Sequence, residues 1–251
     1  MKILVGDTGL VGTTLKEKMS FDLTFNSKNI EDLQNVKDDN ITIYLSCLPA
    51  TKWLVNKDIK SDIKNINTII EVVSKLEYKR IILISTIDVY CDSLQLSDED
   101  TNIQVKNLSY GTNRYYFELL IENLCTYKDL KIFRLPALYN KHIKKNILYD
   151  LINNNNVNKI NANSSFQWYN LDNLTNDIRL YSALHPKRKV FNLFTEPILT
   201  EDIIDMFPKH INKVQNGSKL IYNYQTKFGG YIDKKSNVLK EINKFVYEFS
   251  S

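Results

Sequence analysis

The chain has 251 residues, 43% of them hydrophobic and 25% charged, with 33 Lys and Arg against 29 Asp and Glu for a formal charge of +4. This balance excludes a disordered or fibrous chain and allows a sizeable core. The excess charge is spread along the chain, so the densest basic stretches, 141–145 and 186–189, are expected to be solvated loops and not a nucleic-acid surface.

Residues 2–5 form an apolar run ending at a glycine, followed by a helical pattern over 10–19, which together predict a strand, a tight turn and a helix. Further strand-like runs lie at 22–25, 41–46, 80–85 and 130–135. The segments between most of them carry helical periodicity, and that alternation predicts a parallel sheet with crossover helices. The clearest helices cover 59–76, with Ile59, Ile63, Ile66, Ile69, Ile70 and Val73 on one stripe, and 110–127, with Tyr110, Phe117, Leu120, Ile121 and Leu124. Both stripes are expected to face the sheet. After Pro136 the texture changes to an Asn-rich piece at 153–156, short apolar runs at 166–169 and 190–193, and helices near 172–184 and 236–249. Cys47, Cys91 and Cys125 have neither paired nor metal-ligand spacing, so no zinc site or disulfide framework is indicated. The start at MKILVG lacks the apolar region of a signal peptide, and no run approaches the ~18–20 apolar residues of a membrane span; a cytoplasmic protein is expected.

The string Gly6-Asp7-Thr8-Gly9-Leu10-Val11-Gly12 places glycines at intervals of three between the first strand and the first helix. A backbone that turns sharply without side chains in the way brings amide groups and the positive end of a helix to a pyrophosphate. Dinucleotide sites of this kind place an acid at the end of the second strand to bind ribose hydroxyls. Here that position reads Asn26-Ser27-Lys28. With no carboxylate there to repel a 2′-phosphate, and Ser27 and Lys28 able to bind one, NADP(H) is slightly preferred over NAD(H). Lys28 equally reads as an exposed lysine at the start of a helix.

Two later strings carry hydroxyls and a cation: Ser85-Thr86-Ile87-Asp88-Val89-Tyr90-Cys91 at the end of the fourth strand, and Tyr110-Gly111-Thr112-Asn113-Arg114 opening a helix. Helical spacing puts Tyr110 and Arg114 on one face. With the glycine turn, and with Phe133-Arg134-Leu135-Pro136-Ala137-Leu138-Tyr139-Asn140, these strings resemble the motifs of the extended short-chain dehydrogenase/reductase family, in its nucleotide-sugar epimerase, dehydratase and reductase group. The string from Phe166 to Leu174 is similar to the segment entering the family's substrate lobe, and Val190-Phe191-Asn192-Leu193 to its final sheet strand.

The resemblance implies an α/β Rossmann-type, doubly wound parallel sheet with a small C-terminal substrate lobe. Residues 1–140, completed by a strand near 190–193, would bind NADP or NAD, and 141–251 would form the lobe. Gly6, Thr8, Gly9, Leu10, Val11, Gly12, Asn26, Ser27, Lys28, Cys47, Leu48, Pro136 and Leu138 would line the cofactor. Thr86 would anchor a substrate oxygen, Tyr110 would exchange the proton, and Arg114 would supply charge where the family has lysine. A phenol of pKa about 10 needs such a charge to exchange protons near neutrality.

Ile87-Asp88 replaces the Asp-Glu of the 4,6-dehydratases, which removes that reaction, and the chain is short for the family, which implies a trimmed lobe. The expected activity is an NAD(P)-dependent epimerase or ketoreductase acting on a nucleotide-linked sugar. The alternative is a non-catalytic NAD(P)-binding sensor or partner module, which Arg114 in the lysine position keeps open. A homodimer through the 59–76 and 110–127 helices is a further implication of the resemblance.

Overall fold

The computed structural model describes residues 1–91, 94–213 and 217–250. In chain order the first half runs β1 (Lys2–Val5), α1 (Leu10–Lys18), β2 (Leu23–Phe25), β3 (Thr42–Leu45), α2 (Lys52–Lys57), α3 (Ile59–Val73), β4 (Glu77–Thr86), α4 (Tyr110–Leu124) and β5 (Thr126–Leu135). The second half runs β6 (Ala137–Tyr139), α5 (Ile147–Ile152), β7 (Ser165–Phe166), β8 (Trp168–Asn170), α6 (Leu174–Leu184), β9 (Val190–Asn192), β10 (Ile198–Leu199), α7 (Thr200–Ile204) and α8 (Lys235–Ser250).

Six strands form one sheet in the order β2-β1-β3-β4-β5-β9. Ile3, Leu4 and Val5 of β1, Ile43, Tyr44 and Leu45 of β3, and Ile81, Ile82 and Leu83 of β4 are all buried, so consecutive residues on opposite faces are covered. Two-sided burial is what a parallel sheet with helices on its faces requires, and β1 pairs in parallel with both β2 and β3, as β3 does with β4. This is the Rossmann-like α/β sheet that the alternating pattern predicts, and β9 takes its place beside β5. The chain leaves β1 for β2 on one side and then returns past it to β3 on the other. The carboxyl ends of β1 and β3 therefore flank a topological switch point, where open α/β sheets bind their ligands.

Ile66, Ile69, Ile70 and Val73 bury the α3 stripe, and Phe117 and Ile121 that of α4. Leu124 does not follow this pattern: it is 54% exposed at the last residue of α4, where the chain leaves the helix for β5. The helical pattern over 110–127 also overruns the helix, because Thr126 and Tyr127 belong to β5. There tertiary pairing overrides local periodicity.

The chain divides into two compact units: Met1–Leu94, Thr101–Arg134 and Asn173–Phe191 in the first, and Gln95–Asp100, Leu135–Asp172 and Asn192–Ser251 in the second. Within the second unit β6 pairs with β8 and β10 with β7. The apolar run at 166–169 splits between β7 and β8 at Gln167. Its buried amide donates to the carbonyls of Thr195 and Tyr224 and accepts from the Tyr224 amide. Among the described residues no helix is long and apolar enough to cross a membrane.

Candidate functional site

The turn between β1 and α1 explains each of its glycines separately. Gly6 has φ +95°, in the left-handed region, and a Cβ there would run into the Ser46 carbonyl of the neighbouring strand end. At Gly12 a Cβ would run into the Gly6 carbonyl, so glycine lets α1 close onto the turn. Gly9 differs: a Cβ would meet only the Gly6 oxygen, at an ordinary 3.6 Å. Gly9 is also the N-cap of α1, which has no side-chain cap and no acid in its first turn. Two of the glycines are thus demanded by the protein's own packing. The third keeps clear the space before an uncapped helix N-terminus, which fits the diphosphate of a dinucleotide.

Thr8, Leu10 and Val11 lie in this turn and at the start of α1, and Cys47 and Leu48 follow β3 on the other side of the switch point. Desolvation pushes the Cys47 thiol up to about 12, so it stays protonated. At the end of β2, Ser27 and Lys28 are exposed, while the Asn26 side chain bonds at both ends: Oδ1 accepts from the Lys28 amide at 3.0 Å and Nδ2 donates to Asp7 Oδ1 at 3.0 Å. Asp7 Oδ2 accepts from Lys16 Nζ at 2.9 Å. Pro136 and Leu138 belong to the second unit, Leu138 within β6.

Thr86, Tyr110 and Arg114 all belong to the first unit. Thr86 caps the short turn 87–90, its hydroxyl accepting from the Asp88 amide at 3.2 Å. Gly111 lets α4 sit on that turn, because a Cβ would collide with the Asp88 carbonyl. Ser109 and Thr112 form a capping box that starts the helix at Tyr110, and Asn56 of α2 accepts from the Tyr110 amide at 2.8 Å. Tyr110 is 8% exposed. Burial raises its pKa against the lowering influence of Arg114 and Lys52, and Asp88 raises it further. The group is therefore a neutral phenol at neutral pH.

Arg114 lies over the Tyr110 ring, with Cζ 4.4 Å from the ring centroid. Its guanidinium is also held by Asp62 Oδ2 at 2.8 Å, Asp62 Oδ1 at 3.1 Å and the Pro49 carbonyl at 2.7 Å. Asn113 also donates to Asp62, at 2.8 Å. A second cation, Lys52, pairs with Asp88 at 2.5 Å with 42% of its side chain exposed. Asn56, Lys52 and Asp62 were not singled out by the motifs, and Asp88 entered them only as the Ile87-Asp88 pair and not as a partner of Lys52. Asp62 alone carried a signal, since a carboxylate one turn before Ile66 on a buried face requires a buried partner.

Ser85, Tyr90 and Arg134, which also belong to the resembling motifs, converge on Glu118. Arg134 donates to Glu118 at 3.0 and 2.6 Å and to the Tyr90 hydroxyl at 2.6 Å, and Ser85 donates to Glu118. Burial works against the Arg134 charge, and Glu118 more than restores it. This buried network joins the ends of β4 and β5 to the middle of α4, which accounts for these residue types through the packing of the unit.

No protein-family model matches the sequence, and no curated protein matches it. Solved structures do. A UDP-galactose 4-epimerase superposes with a TM-score of 0.74 at 12% identity, covering 99% of each chain. UDP-glucuronic acid 4-epimerase from Bacillus cereus, in complex with UDP-glucuronic acid and NAD, gives 0.66 at 17% identity over 100% of this chain and 99% of its own. A dTDP-4-dehydrorhamnose reductase from Clostridium acetobutylicum gives 0.69 at 13% identity over 100% of both. At these identities the likeness is one of fold. The chain has the fold of the extended short-chain dehydrogenase/reductases, the family its motifs resemble.

Proposed function

We propose that the protein binds a nicotinamide dinucleotide at the β1–α1 turn and works as an epimerase or ketoreductase on a nucleotide-linked sugar. The observation that carries this reading is Gly9, which keeps open the space before an uncapped helix N-terminus at the sheet's switch point. The solved structures of similar fold support it, since the Bacillus cereus epimerase holds both NAD and a UDP-sugar.

When bound, the dinucleotide supplies the hydride acceptor or donor. In this reading Tyr110 is the acid/base: the neutral phenol gives its proton to the oxygen of a sugar carbonyl as that carbonyl is reduced, and the phenolate takes a proton from a sugar hydroxyl as that hydroxyl is oxidised. Thr86 anchors that oxygen through its hydroxyl. Arg114, although paired with Asp62, supplies most of the positive charge that favours the phenolate, and Lys52 adds a smaller share. The second unit serves as the substrate lobe. A homodimer through α3 and α4 belongs to the same reading, supported by Tyr116, Leu119 and Leu124 exposed along α4; light scattering on Leu119→Glu should then return half the wild-type mass.

The test is to titrate the protein with NAD(H) and NADP(H), then add a panel of nucleotide sugars and follow nicotinamide absorbance and sugar products. Binding with turnover on one sugar is the expected result. The Arg114–Asp62 pair favours a second reading, a dinucleotide-binding module without turnover, and binding with no product from any sugar would select it.

A further inference from the structure

The end of β2 lacks the acid that selects NAD, yet a carboxylate stands within one hydrogen bond of that position. Asp7 comes from the glycine turn, two positions before Gly9, and its Oδ1 accepts from the Asn26 side chain at 3.0 Å. Asn26 is the first residue after β2, where the ribose-reading acid belongs. Its amide group is held in place by Asp7 and Lys28, and it carries no negative charge to select against a 2′-phosphate. Asp7 keeps 11% of its side chain at the surface.

We infer that Asp7 replaces the second-strand acid as the residue that reads the adenosine ribose, so that the site takes NAD(H) in preference to NADP(H). The inference rests on the dinucleotide site proposed above and reverses the preference expected from Ser27 and Lys28 alone. A carboxylate has room for about four hydrogen bonds, and with Lys16, Asn26 and Thr24 bonded to Asp7 one position is left for a ribose hydroxyl, whereas a 2′-phosphate brings a second anion against it. Lys16, the nearby cation that a phosphate would want, is already bound to Asp7 at 2.9 Å. Asp7 thereby offsets the Lys16 charge that a phosphate would meet.

Calorimetric titration of the wild-type chain with NADH and NADPH is the test, repeated on Asp7→Asn, which keeps the side chain's size. The wild type should bind NADH tighter by about tenfold or more, the worth of a hydrogen bond to a charged acceptor. Asp7→Asn should bring the two affinities within about threefold with NADPH gaining. Equal or tighter NADPH binding by the wild type overturns the Asp7 assignment and leaves the dinucleotide site standing; binding of neither nucleotide overturns both. A purely structural strut would lower the melting temperature of Asp7→Asn and leave the affinity ratio unmoved. If Asp7→Asn fails to fold, Asp7→Ser replaces it, and a ratio unmoved in that variant overturns the assignment.

Discussion

Asp62 and Arg114 form a two-point ion pair between α3 and α4, with 3% and 6% of their side chains exposed. Such a pair resists one-sided change, because removing either partner leaves the other charge buried. Arg114→Ala should therefore destabilise the protein by about 3–5 kcal/mol in urea denaturation. Arg114→Lys, which reaches one carboxylate oxygen and cannot also span to Pro49, should lose less. The double change Asp62→Asn with Arg114→Lys releases the cation from its carboxylate and is expected to raise turnover above wild type; unchanged turnover would show that the captured charge is not what limits the chemistry.

The three glycines of the turn should separate by function. Gly6→Ala and Gly12→Ala force a Cβ into backbone oxygens and are expected to prevent normal folding, seen as loss of the cooperative thermal transition. Gly9→Ala meets only an ordinary contact, so its stability should stay within about 0.5 kcal/mol of wild type. Its affinity for a nicotinamide dinucleotide should fall by an order of magnitude or more, because the methyl group stands where the diphosphate approaches. Unimpaired binding by Gly9→Ala would remove the main support for the site.

Tyr110→Phe should lower turnover by about 10²–10⁴-fold, the range for losing a general acid or base, while the nucleotide still binds. Lys52→Met should shift the alkaline limb of the pH–rate profile upward, since it removes a charge that favours the phenolate. A Tyr110→Phe enzyme with full activity would assign the proton to another group.

Burial alone would raise the Asp7 carboxyl, but hydrogen bonds from Lys16 and Asn26 and the Lys16 charge together hold it below its ordinary value of 3.8. Its contribution to stability is complete above the unfolded-chain value of about 3.9 and is lost as pH falls through the lower folded value. Asp7→Asn should thus be less stable than wild type at pH 7, and the difference should shrink as denaturation is measured at successively lower pH below about 4. A constant difference across that range would mean that the ionised carboxylate is not the stabilising form.

The residues alone determine the sheet, the glycine turn and the start of α4, because each is a local matter. Apolar runs such as Ile81-Ile82-Leu83 report burial on both faces, glycine reports a backbone that must turn or yield space, and the helical spacing that begins at Tyr110 reports a helix start. Helix ends were less legible, as Thr126 and Tyr127 show, because strand pairing with distant residues decides where the helix stops. The candidate site divides in the same way. Tyr110 and Arg114 share a face through spacing alone, but whether Arg114 serves Tyr110 depends on Asp62, which lies 52 residues away in the chain. Whether the cofactor site carries a carboxylate depends on Asp7 meeting Asn26, 19 residues apart. A charge in a sequence declares its sign but not its partner, and only the folded sheet and helices bring the partners within the few ångströms over which one charge governs another.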